Sequence, residues 1–226
     1  MKKYALSGLF LLIFISSLFT SEEYLQKADK NFQDGKFALA EIYYRKVLQE
    51  KPDNFQANYN LGKVLYYNNK YKDSLKYLQT AYDIKPDRDI QFLMARDYVE
   101  SGEVKQGLSI YSNLLQDDSH YSDAHLEAGL VFLKYLYDKK GTIYHWETFL
   151  IQKPNDEQAP QIRKALEYLR DPNFVLKPPD DGKTSDTGTV TLKGDEGSSV
   201  IIKGKDLKTK SEDKYKLKDK KTITTE

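Results

Sequence analysis

Small and apolar residues along this chain return to the same places at intervals of 34. Ala28 is matched by Gly62 (62 − 28 = 34), and the same step relates Gly35 to Asn69, Phe37 to Tyr71, Ala40 to Ser74, Val47 to Ala81 and Pro52 to Pro86. Further on, Ala95 precedes Gly129 and Tyr98 precedes Phe132 by the same 34, while Asn69 to Gly102 is one residue short (102 − 69 = 33). Inside a period the apolar positions keep helical spacing, as in Tyr44, Val47 and Leu48. Each period therefore predicts helical segments joined by short connections.

This register resembles the tetratricopeptide repeat, a 34-residue helix–turn–helix unit in which small residues let paired helices approach. The resemblance covers about residues 22–170. The first unit reads Ala28, Gly35, Phe37, Ala40 and Pro52, and the second reads Leu61-Gly62, Leu65, Asn69, Tyr71, Ser74, Leu78, Ala81 and Pro86. Asn69 substitutes for glycine at its turn because asparagine tolerates the left-handed conformation better than most residues. The third reads Ala95, Tyr98, Gly102, Val104, Gly107, Tyr111 and Leu114, with Ser119 in place of the closing proline. In the fourth, Gly129 and Phe132 fit, but the turn glycine is displaced to Gly141. That displacement predicts a longer first helix and a shorter second one around Tyr144 to Leu150, ending at Pro154. Over 157–170, Ile162, Ala165, Leu166 and Leu169 share one face opposite charged residues, which predicts a capping helix with Pro160 in its first turn. The units fall at about 21–54, 55–87, 88–121 and 122–155. The resemblance implies an all-α fold, a right-handed superhelix of antiparallel helix pairs closed by that capping helix.

The two ends differ from this body. Lys2 and Lys3 precede an apolar run from Ala5 to Phe19, which reads as a secretory signal peptide or a retained N-terminal membrane anchor over residues 1–21. Either reading places everything after residue 21 outside the cytoplasm, because the lysines stay inside. Localisation is thus expected to be exported, periplasmic or envelope-associated. After Asp171, Pro178-Pro179 and Asp180-Asp181-Gly182 open a low-complexity tail over 171–226. From Lys203 onward that tail holds nine lysines against five acids. It is expected to be disordered, with Thr189 to Leu192, Ser199 to Ile202 and Tyr215 to Leu217 able to become strands against a partner.

Composition narrows the chemistry. The net charge of +1, from 35 Lys and Arg against 34 Asp and Glu, offers no global field for nucleic acid. The absence of cysteine removes disulfides, thiolate metal sites, cysteine nucleophiles and a lipoprotein anchor. No phosphate loop and no Gly-x-Ser-x-Gly motif occurs, so no catalytic residue, cofactor or metal is expected. His120 and His125 are five apart, off a shared helical face, and read with His145 as surface or half-buried residues.

By the resemblance, the first helix of each unit lines a concave groove that takes a protein partner as peptide or helix. Its expected residues are Tyr59, Lys63 and Tyr66, then Phe92, Arg96 and Val99, with Leu126 beyond them. Leu25, Asp29, Phe32 and Leu130 extend it. Asn60 and Lys63 do not reproduce the family's clamp for a C-terminal carboxylate. The function expected is an exported scaffold that assembles or stabilises a complex. The alternative is an envelope-associated adhesion protein whose basic tail contacts polymer or membrane.

Overall fold

A computed structural model describes residues 20–176, 189–193 and 199–203. The segment read as signal or anchor, the start of the linker and the lysine-rich end lie outside the described residues. So does the expected piece Tyr215 to Leu217. The chain divides into two compact units, one up to Ile90 and one from Gln91.

In the first unit, α1 (Ser21–Gln33) and α2 (Phe37–Glu50) form one hairpin, and α3 (Phe55–Tyr67) and α4 (Tyr71–Ile84) form the next. Helix α1 opens with a capping box. The Thr20 hydroxyl accepts from the Glu23 N–H, and the Glu23 carboxylate accepts from the Thr20 N–H at 2.7 Å. Asn54 caps α3 by accepting from the Ala57 N–H. Helix α2 packs on both α1 and α3, so Ala28, Phe32, Ala40, Tyr44, Val47, Leu61, Val64 and Leu65 merge into one buried cluster.

In the second unit, α5 (Arg88–Glu100) and α6 (Val104–Asp117) are followed by α7 (Ser122–Val131) and α8 (Lys139–Gln152). Helix α9 (Ala159–Arg170), with Pro160 in its first turn, packs on α8 through Ile162, Ala165, Leu166 and Leu169. Beyond it, β1 (Thr189–Lys193) and β2 (Ser199–Lys203) pair antiparallel in the register Thr189↔Lys203 to Lys193↔Ser199. Two of the strand-like pieces expected in the tail thus pair with each other rather than against a partner. Among the described residues the repeats are all helix, and no helix is long and apolar enough to cross a membrane.

The turns explain the period. Gly35 (φ 72°), Asn69 (φ 57°) and Gly102 (φ 91°) are left-handed, and the next residue's N–H reaches back five positions: Lys36 to Asn31, Lys70 to Leu65 and Glu103 to Tyr98. In the fourth pair the left-handed residue is Tyr137 (φ 52°), and Asp138 reaches back six positions, to Phe132. The extra residue sits in a single π-turn over Phe132–Leu136 that prolongs α7. The lengthened first helix is found, but the other two expectations for this unit need correction. Helix α8 has the same 14 residues as α2, α4 and α6, and Gly141 lies inside it rather than at the turn. What Gly141 does is admit the Phe132 ring, which a Cβ there would strike.

The seams are cut to shape. A Cβ on Gly62 would lie 2.6 Å from Leu78 Cγ, one on Gly107 would meet Val99, and one on Gly129 would enter the Trp146 indole. Trp146 is fully buried and its Nε1–H donates to the Leu126 carbonyl at 3.3 Å. Gly129→Ala is expected to destabilise the second unit by about 1–3 kcal/mol through overpacking, and Trp146→Ala by about 3–5 kcal/mol through the cavity it leaves. Urea titrations followed by far-UV circular dichroism check both. A neutral Gly129→Ala variant would mean that the seam is loose.

Candidate functional site

The residues expected to line a groove separate into two groups. In the first unit, Lys63 on α3 is buried against aromatic rings, its Nζ 4.7 Å from the Phe32 ring centroid and 5.0 Å from that of Tyr59. Tyr59 is half-buried and stacks on Phe55 at 6.0 Å. Beneath them Asp29 accepts from Tyr44 Oη at 2.6 Å, Gln56 Nε2 at 2.7 Å and Asn60 Nδ2 at 3.2 Å, tying α1 to α2 and α3. Tyr66 turns its ring edge-on to Tyr67 and Tyr71, in the aromatic cluster that surrounds the Asn69 turn. Tyr59, Lys63 and Asp29 therefore stand together on the α1–α3 side, and Tyr66 belongs to the turn.

In the second unit the expectation fails for three residues. Phe92 is fully buried between Tyr111 (5.7 Å) and Tyr121 (5.4 Å). Val99 fills the space that Gly107 leaves. Leu126 is buried with Leu130, Trp146, Phe149 and Leu166. All three hold helices together and present no side chain to a partner. Arg96 is also buried, with its Nε 3.5 Å from the Glu127 carboxylate.

A concavity lies elsewhere. Helices α6 and α8 flank a groove of about 790 Å³ whose floor is contributed by His125 and Ala128 of α7 and Phe132 of the π-turn. The Nδ1 atoms of His125 and His145 are 3.0 Å apart, and His125 Nε2 is 3.3 Å from the Ser119 carbonyl. A carbonyl can only accept, so His125 carries its proton on Nε2. Its bare Nδ1 then accepts from His145 Nδ1–H, which leaves His145 Nε2 as an acceptor. The Phe132 ring stacks on His145 at 5.2 Å. Burial first, and His125 second, push the His145 imidazole down to about 4, and burial lowers His125 as well. The pair is therefore neutral at pH 7. His120 also borders the groove, but the histidine partnership joins residues twenty apart in sequence, which no local spacing signals. Among the described residues no group of three His, Cys, Asp or Glu side chains is placed to hold a metal.

Comparison with known proteins bears on this geometry. Residues 31–96, which span the first two hairpins' shared seam, match the family model of the tetratricopeptide repeat. The matched residues are tetratricopeptide repeats. The chain's fold is similar to that of MamA from Desulfovibrio magneticus RS-1, with TM-score 0.56 and 21% identity over 61% of this chain and 78% of that one. A tetratricopeptide repeat protein from Parabacteroides merdae gives TM-score 0.56 and 21% identity over 66% of this chain and 60% of that one. YrrB, described as a tetratricopeptide-repeat protein with an unusual peptide-binding site, gives TM-score 0.52 and 15% identity over 72% and 85%. No curated protein matches the sequence.

Tetratricopeptide repeats are in general non-catalytic scaffolds for protein or peptide partners, and that role is the one this fold supports. The histidine pair adds a pH dependence to it. A neutral imidazole with a folded pKa near 4 and an unfolded value near 6.5 leaves the unfolded chain holding more protons between those limits. Its contribution is thus complete above about pH 6.5 and lost as pH falls towards 4. Allowing for solvent screening at this half-buried ring, the loss is on the order of 1–2 kcal/mol. Urea midpoints at pH 7 and pH 4.5 should fall further for the native chain than for His145→Gln. Equal drops in the two proteins would show that His145 does not titrate in this way.

Proposed function

We propose that this tetratricopeptide-repeat protein is an exported scaffold of the cell envelope that assembles or stabilises a protein complex. The observation that carries the reading is the junction at residue 20. A basic start at Lys2 and Lys3 and an apolar run to Phe19 are followed at once by the capped first helix of a repeat domain. An export segment joined to a recognition domain with no catalytic motif is what an envelope scaffold requires. With no cysteine, a lipid anchor on a thiol does not contribute, so attachment, where it occurs, falls to the N-terminal segment itself.

Partner contact in the first unit falls to Tyr59 and its surroundings. The half-buried Tyr59 ring, with the buried Lys63 ammonium held against it and the Asp29 network below, gives a fixed aromatic platform. Fixed aromatics lose little entropy when they bind, which suits them to anchor a peptide.

Two measurements test the reading separately. Residues 1–21 fused to a reporter active only outside the cytoplasm should give signal, and replacing Lys2, Lys3 and the apolar run should abolish it. A silent native fusion would refute export. Crosslinking of the native chain in the envelope fraction should yield a discrete partner whose recovery drops about tenfold with Tyr59→Ala. Recovery unchanged by that substitution would remove the platform from the binding surface.

A further inference from the structure

The two units treat the space between their second helices in opposite ways. In the first unit, Arg45 of α2 donates to Tyr77 Oη of α4 at 2.9 Å, and Glu41 of α2 receives Lys70 Nζ at 3.0 Å and Asn68 Nδ2 at 3.0 Å. Burial alone would raise the Glu41 carboxyl, but hydrogen bonds from Lys70, Arg45 and Asn68 outweigh it and hold the group ionised. A polar ladder therefore closes that space.

In the second unit, every rung that can be matched has changed. Positions on α6 correspond to α2 at an offset of 67, and positions on α8 to α4 at an offset of 68, as the turn residues set them (102 − 35 = 67; 137 − 69 = 68). Glu41 is thereby replaced by Leu108, Arg45 by Ser112 and Tyr77 by His145. On the rim, Lys76 is replaced by Tyr144 and Asp83 by Ile151. Ser112 is too short to bridge, and the histidine is committed to its partner on α7. The result is an open trough with Tyr144 62% and Ile151 81% exposed at its edge, large apolar side chains where the first unit carries charge. Lys105 stands at the beginning of α6, and no carboxylate lines the trough.

We propose that this trough is a second docking surface, taking an amphipathic helix of a protein partner with its acidic C-terminal turn beside Lys105. The occupant is a helix because the walls are themselves helices. The α6 face from Lys105 to Gln116 extends about 16 Å, or three turns. Neither wall offers a sheet edge to satisfy an extended backbone, whereas a helix satisfies its own and supplies apolar side chains at intervals of three and four. Its direction follows from the ends. Gln152 Nε2 at the end of α8 donates to the Ser119 carbonyl just past the end of α6, so the two walls run parallel. Their N-terminal ends, with Lys105, form the positive end of the trough. A guest running antiparallel to them sets its own negative C-terminal end there. The inference goes beyond the scaffold reading and does not depend on export.

The probe is a synthetic 16-residue alanine-based helix with leucines at intervals of three and four and two glutamates in its last turn, labelled for fluorescence anisotropy. A second peptide carries lysines in place of the glutamates. The full chain should bind the acidic peptide saturably and at least about tenfold more tightly than the basic one, and Lys105→Glu should reverse the order. Ser112→Arg with His145→Tyr, which restores the first unit's bridge, should weaken the acidic peptide at least about tenfold. Ile151→Lys, at an exposed position that folding does not need, should do the same. Absence of saturable binding, equal binding of the two peptides, or binding indifferent to Ile151→Lys would each overturn the proposal. So would a peptide-free dimer that Ile151→Lys dissociates, since that would assign the trough to a second copy of this chain.

Discussion

A helix can bury one stripe against a neighbour only where its surface recedes wherever the neighbour's advances. That requirement governs each hairpin of this protein. Gly62 recedes for Leu78, and Gly129 recedes so far that the Trp146 indole lies where a Cβ would be. At Gly107 the polarity is reversed, with the second helix receding for Val99 of the first. Two bulky side chains also hydrogen-bond across their hairpins, Tyr44 to Asp29 and Trp146 to the Leu126 carbonyl. Close approach is what lets short helices of 13 or 14 residues, too short to persist alone in water, hold together as pairs.

This constraint is also why the helix pairs were legible in the sequence. Small residues at a seam and glycine or asparagine at a left-handed turn have few substitutes, so the period is written in the residues themselves. Ala28, Gly62, Ala95 and Gly129 mark it, as do Gly35, Asn69 and Gly102. The fourth pair was misread for the same reason. Its left-handed residue is Tyr137, a type that gives no turn signal, while Gly141 gives one and sits in a helix. The start of α1 was readable from Thr20 and Glu23, whose spacing is that of a capping box.

The site was less legible than the fold. Placing a residue on a helix face assumes that the face is free, and α7 breaks that assumption. From Ser122 to Val131 every residue except Glu127 is buried, so position along the helix does not tell packing from display. Leu126 was assigned to a surface on helical phase and belongs to the core. Phe92 and Val99 on α5 were misassigned for a related reason, since Tyr121 and the Gly107 recess claim them. Lys63 and Tyr59 show the complementary case. Their neighbourhood was expected from phase, but its partner Phe32 comes from α1, and only the packed structure names it.

The single inserted residue in α7 links the core to the open trough. Counted at a strict 34 from α6, the place of Tyr111 would fall on His145 and the place of Ile110 on Tyr144 (111 + 34 = 145; 110 + 34 = 144). A histidine would then face Gly129 at the seam, and a buried imidazole there would need a hydrogen-bond partner that an apolar seam lacks. The π-turn advances the chain by one position, so Trp146 takes the seam and fills it. The same advance carries His145 out to meet His125 and leaves Tyr144 on the rim, at the point where α4 has Lys76. One added residue therefore exchanges a poorly satisfied core for a well-filled one and, by the same rotation, sets Tyr144 on the rim of a trough where Leu108 and Ser112 have already removed the ladder's Glu41 and Arg45.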